Sequence, residues 1–200
     1  TLRYQLNPHF LYNALNSIEA LSREGPAQIP EVVRRLCECL RYALHPKKGG
    51  LATLKQELQE VASYLHVEEV RFAEHLVVET DVSDAAQGAL VPEFLLQPLV
   101  ENAIKHGMRT SSMPLRVVIR AGCTDGVLEI EIRNTGHWTG QADDAADGGV
   151  GLKNLETRLG LLYPNHYRLK TTEEAGWVAV TVAIPLRGED AEGVSAGKAN

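Results

Sequence analysis

The stretch Gln97-Pro98-Leu99-Val100-Glu101-Asn102-Ala103-Ile104-Lys105-His106-Gly107 decides the fold of this chain. Its periodicity predicts a helix that begins at Pro92, because proline is favoured at a first helical position, and ends at about His106. One face of this helix is apolar and carries Leu95, Leu96, Leu99, Val100, Ala103 and Ile104. The opposite face is polar and carries Gln97, Glu101, Asn102, Lys105 and His106. The apolar face indicates packing on a core, and the polar face is open to solvent or to a ligand.

The polar face predicts contact with a metal ion and with phosphate. It combines an acid, an amide, a cation and an imidazole, whereas a solvated face usually shows paired Glu and Lys residues. Asn102 can give an oxygen to Mg²⁺, and Lys105 can neutralise phosphate charge. Without further segments, an ordinary solvated face stays an open alternative.

The residues around this helix alternate in the manner of β-strands. We predict strands over residues 75–82, 115–121, 127–133, 167–172 and 177–184, with a hairpin turn at Thr124-Asp125-Gly126. A further helix is predicted from Leu152 to Tyr163. Several strands in one sheet, with helices that all need one face, predict an α/β sandwich.

Two glycine-containing segments follow the central helix. Arg133-Asn134-Thr135-Gly136 ends a strand and can present an amide to a base edge, although Asn-Thr-Gly is also a common turn. The segment from Gly148 to Asn154 precedes a helix, where backbone N–H groups can approach phosphate. It is neither a P-loop nor a Rossmann fingerprint. Neither segment is specific by itself.

Three helices are predicted before the first strand. The first covers residues 2–23 and carries Phe10, Leu11, Ala14, Leu15, Ile18 and Leu21 on its apolar stripe. His9 follows the helix-bending Pro8 and lies on the other side, so it is either an exposed histidine or a functional one. A second helix from Pro30 to about Leu44 completes a hairpin whose core is too small to stand alone. We therefore expect the hairpin to dimerise into a four-helix bundle.

The third helix is predicted to begin with a capping box. Thr53 is the expected N-cap and Gln56 the residue that returns to it. Behind them, Leu54, Leu58, Val61, Leu65 and Phe72 form a narrow apolar seam.

Composition excludes several classes of protein. The net charge is −6 and no basic run occurs, so nucleic-acid binding has no electrostatic support. Three cysteines, of which only Cys37 and Cys39 are close, do not supply a zinc set and fit a reducing cytosol. No apolar run approaches the ~20 residues that span a bilayer. Because the chain begins at Thr1 inside a helical pattern, we expect an upstream part to be missing.

Taken in this order, the central helix and the two glycine-containing segments resemble the GHKL ATP-binding domain. Asn7-Pro8-His9-Phe10-Leu11-Tyr12-Asn13 together with the central stretch resembles the sensor histidine kinases of the LytS/YehU type. The resemblance runs from about Leu2 to Leu186, and the two strings are highly specific as a pair.

The resemblance implies an α+β fold. A helical hairpin in residues 1–73 would dimerise into a four-helix bundle and carry the phosphotransfer histidine, and a GHKL (Bergerat) α/β sandwich would follow in residues 74–187. Residues 188–200 have the composition of a disordered tail. The implied activity is ATP- and Mg²⁺-dependent autophosphorylation, followed by transfer to an aspartate of a response-regulator receiver domain. The implied protein is a homodimer whose chain is the cytoplasmic part of an inner-membrane-anchored bacterial sensor.

The resemblance also implies residue roles. His9 matches the phospho-accepting histidine, Glu101 the acid that polarises the attacking group or a metal-bound water, and Asn102 the Mg²⁺ ligand. The remaining implied nucleotide-binding residues are Lys105, His106, Asn134, Gly136, Gly149, Gly151, Leu152 and Asn154, with Arg158 near the phosphates.

Two departures from the family pattern stand out. The superfamily usually has Asp-x-Gly where this chain has Asn134-Thr135-Gly136. Asn134 can still accept a hydrogen bond from the adenine amino group through its amide oxygen, but the bond loses its charge-assisted character. Asn7 and Asn13, rather than an acid, flank His9, so a base for His9 must come from elsewhere or be dispensable.

Two other functions remain open from sequence. One is a GHKL-type ATPase that never phosphorylates itself. The other is a dimerisation module with a degenerate nucleotide site.

Overall fold

The computed structural model of the chain describes residues 8–45, 49–138 and 150–186. The side chains of Pro8, His9, Glu24 and Val150 lie outside this description, as does the predicted tail. Within the described ranges, no helix has both the length and the apolar character needed to cross a membrane.

Three long helices form the first part of the molecule. They are α1 (Pro8–Glu24), α2 (Ile29–Leu44) and α3 (Leu54–Phe72). A single 3₁₀ turn, Pro26–Gln28, joins α1 to α2 and makes the predicted hairpin. α3 contacts both helices of this hairpin.

The predicted capping box of α3 is confirmed. The Gln56 backbone N–H donates to Thr53 Oγ1 at 3.3 Å, and the Thr53 N–H donates to Gln56 Oε1 at 3.1 Å. Two backbone donors at the start of the helix are thereby satisfied, which sets where α3 begins.

The apolar stripe of α1 is only partly covered. Phe10 and Ala14 are buried, and the Phe10 ring packs 4.9 Å from the Tyr64 ring of α3. Leu15, predicted on the same stripe, is instead 57% exposed, because α1 turns Phe10, Ala14 and Ser17 towards the other helices.

The rest of the chain forms strands and shorter helices. The strands are β1 (Leu51–Thr53), β2 (Leu76–Val82), β3 (Leu90–Pro92), β4 (Leu115–Thr124), β5 (Val127–Thr135), β6 (Arg168–Glu174) and β7 (Trp177–Pro185). The helices are α4 (Asp84–Gln87), α5 (Gln97–Thr110) and α6 (Val150–Leu162), with a 3₁₀ turn at Ala73–His75. α4 lies in residues predicted only as a turn.

Five strands form one sheet in the order β2-β4-β5-β7-β6. β2 runs parallel to β4, and all other neighbours are antiparallel. α4 contacts β4, and α5 contacts β4 and β5 over the buried side chains of the sheet. The predicted α+β fold with an α/β sandwich is confirmed.

Turn chemistry explains the central hairpin. Asp125 and Gly126 both have positive φ, 51° and 75°, as a two-residue turn between β4 and β5 requires. At the far edge of the sheet, β6 pairs only with β7 and is exposed along nearly its whole length.

The predicted start of the central helix was wrong. Pro92 ends β3, which pairs with β1 before α3, and α5 begins five residues later at Gln97 with Pro98 in its first turn. Leu95 and Leu96 are fully buried, but in the turn that leads to the helix rather than in the helix. The cause is a long-range contact of this turn, described below.

Candidate active site

A cleft that is open to solvent lies between α5 and the sheet. Asn102 and His106, one turn apart on α5, supply two of its polar side chains, and Asn134 of β5 supplies a third. The apolar lining is Leu99 and Ala103 from α5, Ile132 from β5 and Val178 and Val180 from β7. His137 and Trp138 close one side.

Asn134 is a polar residue in an apolar row. It follows Leu128, Ile130 and Ile132 on the buried face of β5 and is only 5% exposed. Its Nδ2 donates to the Thr135 carbonyl at 2.8 Å. This bond uses one of the two amide donors and leaves the amide oxygen able to accept a hydrogen bond.

Two glycines allow α5 to approach Asn134 and the strand end. A Cβ on Gly107 would overlap the Leu115 side chain and lie 3.1 Å from Asn134 Nδ2. Gly136 has φ +123°, and a Cβ there would overlap Thr110 Oγ1 and lie 3.2 Å from the Ser111 nitrogen. The glycine at position 136 therefore allows the backbone after β5 to lie close to the end of α5.

The wall formed by His137 and Trp138 was not anticipated from sequence. The His137 N–H donates to Thr110 Oγ1 at 3.1 Å, and the Trp138 N–H donates to Glu173 Oε2 at 3.0 Å. A hydrogen bond from His137, followed by that backbone donor, lowers the pKa of Glu173. The Trp138 ring lies 6.4 Å from the His106 ring. A tryptophan two residues after a strand-end glycine was the available signal.

Glu101 lies on a different side of α5 from the cleft lining. Gln97 Nε2 donates to its carboxylate at 2.9 Å. Its negative charge adds to burial and to Glu68 in raising the pKa of Tyr64. Since the Phe10 ring packs on Tyr64, Glu101 lies on the face of α5 towards α3 and the start of α1.

His9 immediately precedes Phe10 in the first turn of α1. The Phe10 ring packs on Tyr64, so the backbone of His9 lies next to this contact. The side chain of His9 lies outside the described atoms.

The predicted phosphate-binding residues are spread along α5 and α6. Lys105 is half-buried on α5, Gly151 and Leu152 lie in the first turn of α6, and Asn154 is exposed there. None of these four lines the cleft. A Cβ on Gly151 would lie 3.5 Å from Pro98 Cβ, so the first turns of α5 and α6 are in contact. Gly149 lies outside the described residues.

Glu57 of α3 is a buried residue that sequence reasoning missed. Its carboxylate accepts the backbone N–H groups of Phe94, Leu95 and Leu96 at 2.8, 2.8 and 3.1 Å, and the hydroxyl of Tyr42 also donates to it. Burial raises the pKa of Glu57, and these four donors oppose that shift. Glu57 is in phase with Leu54 and Val61 of the apolar seam, which was the available signal.

Arg158 serves the same turn. We expected it near the phosphates, but its Nη2 donates to the Phe94 carbonyl at 2.9 Å. Burial lowers the pKa of its guanidinium, while the charge of Glu57 opposes that shift.

The residues present fit a purine nucleotide. The apolar lining of the cleft suits a flat ring, and the Asn134 amide oxygen can accept from an exocyclic amino group. Among the described residues, no group of three His, Cys, Asp or Glu side chains could hold a metal ion. A Mg²⁺ ion at Asn102 would thus take most of its ligands from phosphate and water, as this ion commonly does.

Comparisons with known proteins show what this chain is similar to. Residues 1–76 match the family described as histidine kinase. The sensor protein LytS of Staphylococcus saprophyticus is 31% identical over 96% of this chain and 34% of its own length. The sensor histidine kinase YesM of Bacillus subtilis is 33% identical over 94% of this chain and 33% of its own length.

The fold is shared with solved kinases. The histidine kinase AdeS of Acinetobacter baumannii superposes with a TM-score of 0.52 at 15% identity, over 92% of this chain and 88% of that chain. At this identity the likeness shows the fold alone. The chain spans about a third of the length of the curated relatives it matches.

Proposed function

Because the chain belongs to the sensor histidine kinases of the LytS type, we propose that it binds ATP with Mg²⁺ and phosphorylates itself on His9. The observation that carries the nucleotide part is Asn134, a buried amide that lines an apolar cleft together with Asn102 and His106.

The adenine ring would lie against Leu99, Ile132 and Val180. Its amino group would donate to the Asn134 amide oxygen, a neutral bond that is weaker than one to a carboxylate. The adjoining Gly136 lets the strand end pass close to Thr110, which keeps this edge of the cleft in place.

The phosphates would lie towards the first turns of α5 and α6. The start of α6, which lies against the first turn of α5, would favour an anion through backbone N–H groups and the helix dipole, with Gly149 and Gly151 in the proposed set. Lys105 and His106 on α5, and Leu152 and Asn154 on α6, complete the proposed set. Asn102 would hold Mg²⁺, which neutralises charge on the transferred phosphoryl group.

In the transfer step, a neutral ring nitrogen of His9 forms a bond to the γ-phosphorus. The bond from that phosphorus to the bridging oxygen of the β-phosphate breaks, and ADP leaves. Glu101 lies near Tyr64 of α3, on which the Phe10 ring next to His9 packs, and this supports a role for it in accepting the proton that His9 releases. A receiver-domain aspartate then takes the phosphoryl group.

A homodimer is part of this proposal. On the hairpin, Tyr12, Leu15 and Leu44 are 68%, 57% and 52% exposed, which leaves apolar surface for a second copy. Residues 1–73 would form the dimerisation and phosphotransfer unit, and residues 74–187 the ATP-binding unit. The chain would be the cytoplasmic kinase core of a longer membrane-anchored sensor.

The test is labelling with γ-labelled ATP and Mg²⁺. We expect acid-labile, base-stable label in the wild type and none in His9→Gln. His45→Gln is the matched control, because His45 is an exposed histidine that directly follows the second helix of the same hairpin. Label that persists in His9→Gln would overturn the acceptor assignment. Steady phosphate release without labelled protein would instead support an ATPase that does not phosphorylate itself.

A further inference from the structure

We infer that Glu57 and Tyr42 are positioning residues that join the hairpin carrying His9 to the first turn of the ATP-site helix α5. This inference rests on the proposed function, because it concerns how the acceptor and the nucleotide are aligned.

The Glu57 carboxylate is built to hold one turn. Its Oε1 accepts from the Phe94 N–H and the Tyr42 hydroxyl, and its Oε2 accepts from the N–H groups of Leu95 and Leu96. The residue is only 1% exposed. Hydrogen bonds to an ionised acceptor are about twice as strong as neutral ones. A buried carboxylate that accepts four of them therefore fixes the position of the turn.

This turn sets where α5 begins. Leu96 donates its N–H to Glu57, and its carbonyl accepts from Leu99 and Val100 at 3.1 and 3.0 Å. One residue thus connects the carboxylate to the first turn of α5. Asn102, which lines the cleft, lies one turn further along. A shift of the Glu57 carboxylate therefore shifts the helix that positions the nucleotide.

Tyr42 connects the same carboxylate to the hairpin. It lies two residues before the end of α2, and its ring packs 4.8 Å from the Phe94 ring. Burial raises the pKa of Tyr42, with the charge of Glu57 adding to this effect, so its hydroxyl stays a donor. A movement of α2 relative to α3 would change this hydrogen bond first.

The turn is also held from the opposite side. Arg158 of α6 donates to the Phe94 carbonyl at 2.9 Å. The turn before α5 is therefore held from three helices: α3 through Glu57, α6 through Arg158, and α2 of the hairpin through Tyr42. This arrangement links the orientation of the hairpin to both helices of the nucleotide site.

The decisive variant is Tyr42→Phe, because it removes one hydroxyl and keeps the ring that packs on Phe94. We expect its dissociation constant for a non-hydrolysable ATP analogue to stay within twofold of the wild type. At saturating ATP, we expect the labelling rate of His9 to fall at least fivefold. Glu57→Gln should raise the dissociation constant for the analogue and lower the labelling rate, because its amide NH₂ would face backbone donors. Tyr163→Phe is the matched control, since it removes the hydroxyl of another buried tyrosine, which follows α6.

A second readout decides the inference independently of catalysis. Backbone hydrogen exchange of the wild-type protein should be slow at residues 94–96, and Tyr42→Phe should speed it at least fivefold there. Tyr163→Phe should leave exchange at these residues unchanged. If the wild type binds nucleotide but shows no label, the proposed function fails. Hydrogen exchange at residues 94–96 then still tests whether Tyr42 and Glu57 hold this turn. Unchanged exchange in Tyr42→Phe, or an equal loss of labelling in Tyr163→Phe, would overturn the inference.

Discussion

Replacing Gly136 by alanine should loosen the edge of the cleft that receives the base. Gly136 has φ +123°, a region that L-residues rarely adopt, and its Cβ would overlap Thr110 Oγ1. The same Cβ would lie 3.2 Å from the Ser111 nitrogen and 3.3 Å from the Thr110 carbonyl carbon, both of which are backbone atoms. The neighbouring chain cannot rotate away from it, so α5 and the end of β5 must separate.

The size of the effect follows from two separate costs. Holding a non-glycine residue in such a conformation costs about 1–3 kcal/mol, and inserting a methyl group into a packed contact costs about 1–3 kcal/mol. We therefore expect a free energy of unfolding lower by about 3 kcal/mol. For a chain of this length, that corresponds to a Tm lower by roughly 6–12 °C.

Two other glycines of the same sheet separate these costs. Gly126 also has positive φ, +75°, but a Cβ there meets nothing within 4 Å, so Gly126→Ala should cost only about 1 kcal/mol. A Cβ on Gly122 meets nothing within 4 Å and its φ is not positive, so Gly122→Ala should be nearly neutral. Thermal unfolding followed by circular dichroism gives the three values.

Nucleotide binding provides the functional readout. Thr110 Oγ1 accepts the His137 N–H, so a displaced Thr110 also moves the wall formed by His137 and Trp138. We expect ATP-analogue affinity, measured by calorimetry below the transition, to fall only in Gly136→Ala. Equal stability losses in Gly136→Ala and Gly126→Ala would refute the close approach of α5 to the strand end.

Three further predictions concern other parts of the molecule. Trp138→Ala should weaken ATP-analogue binding about tenfold, because base stacking on an aromatic ring contributes roughly 1–3 kcal/mol. The nucleotide-dependent quenching of tryptophan fluorescence should disappear in this variant. Unchanged quenching would contradict the stacking of the base on Trp138. The hydrogen bond from Arg34 holds the pKa of Glu31 at about 2, so Glu31→Gln should destabilise the protein to urea at pH 7, and the difference from wild type should shrink as the pH falls from 5 towards 2. Leu128→Ala should cost about 2–5 kcal/mol in chemical denaturation, whereas Leu161→Ala, at a side chain 76% exposed, should change stability by less than about 0.5 kcal/mol; similar losses would contradict the described core.

Local rules predicted much of the fold. The capping box of Thr53 and Gln56 and the turn at Asp125-Gly126 involve residues only a few positions apart, so sequence alone contains their physics. The strands were recognisable because their side chains alternate between a buried and an exposed face. Strand order and the parallel pairing of β2 with β4 come from the folded structure.

The errors arose where distant residues decide local structure. Pro92 is a good first helical residue, yet the helix begins at Gln97 because Glu57, on α3, takes the N–H groups of the preceding turn. Leu15 obeys the apolar period of α1, but the fold turns it to the surface.

The candidate site was predicted in composition but not in arrangement. Asn102, His106 and Asn134 line one cleft, whereas Glu101 lies towards α3. The spacing of residues along α5 separates these two faces, but it does not predict which face packs towards the sheet and which towards α3. Trp138 contributes through a backbone bond to Glu173 in another strand, which no local pattern reveals.

The outer strand β6 has a consequence for how the protein behaves in concentrated solution. Its exposed side chains include Arg168, Lys170, Glu173 and Glu174. Among the described residues no strand pairs with its outer edge, and such an edge is where a strand of another molecule can add. Such an addition would crowd these charges against those of the incoming strand. We therefore expect the sheet edge to resist fibril-like growth, and light scattering of concentrated samples should increase when both lysine and arginine on this strand are replaced by valine.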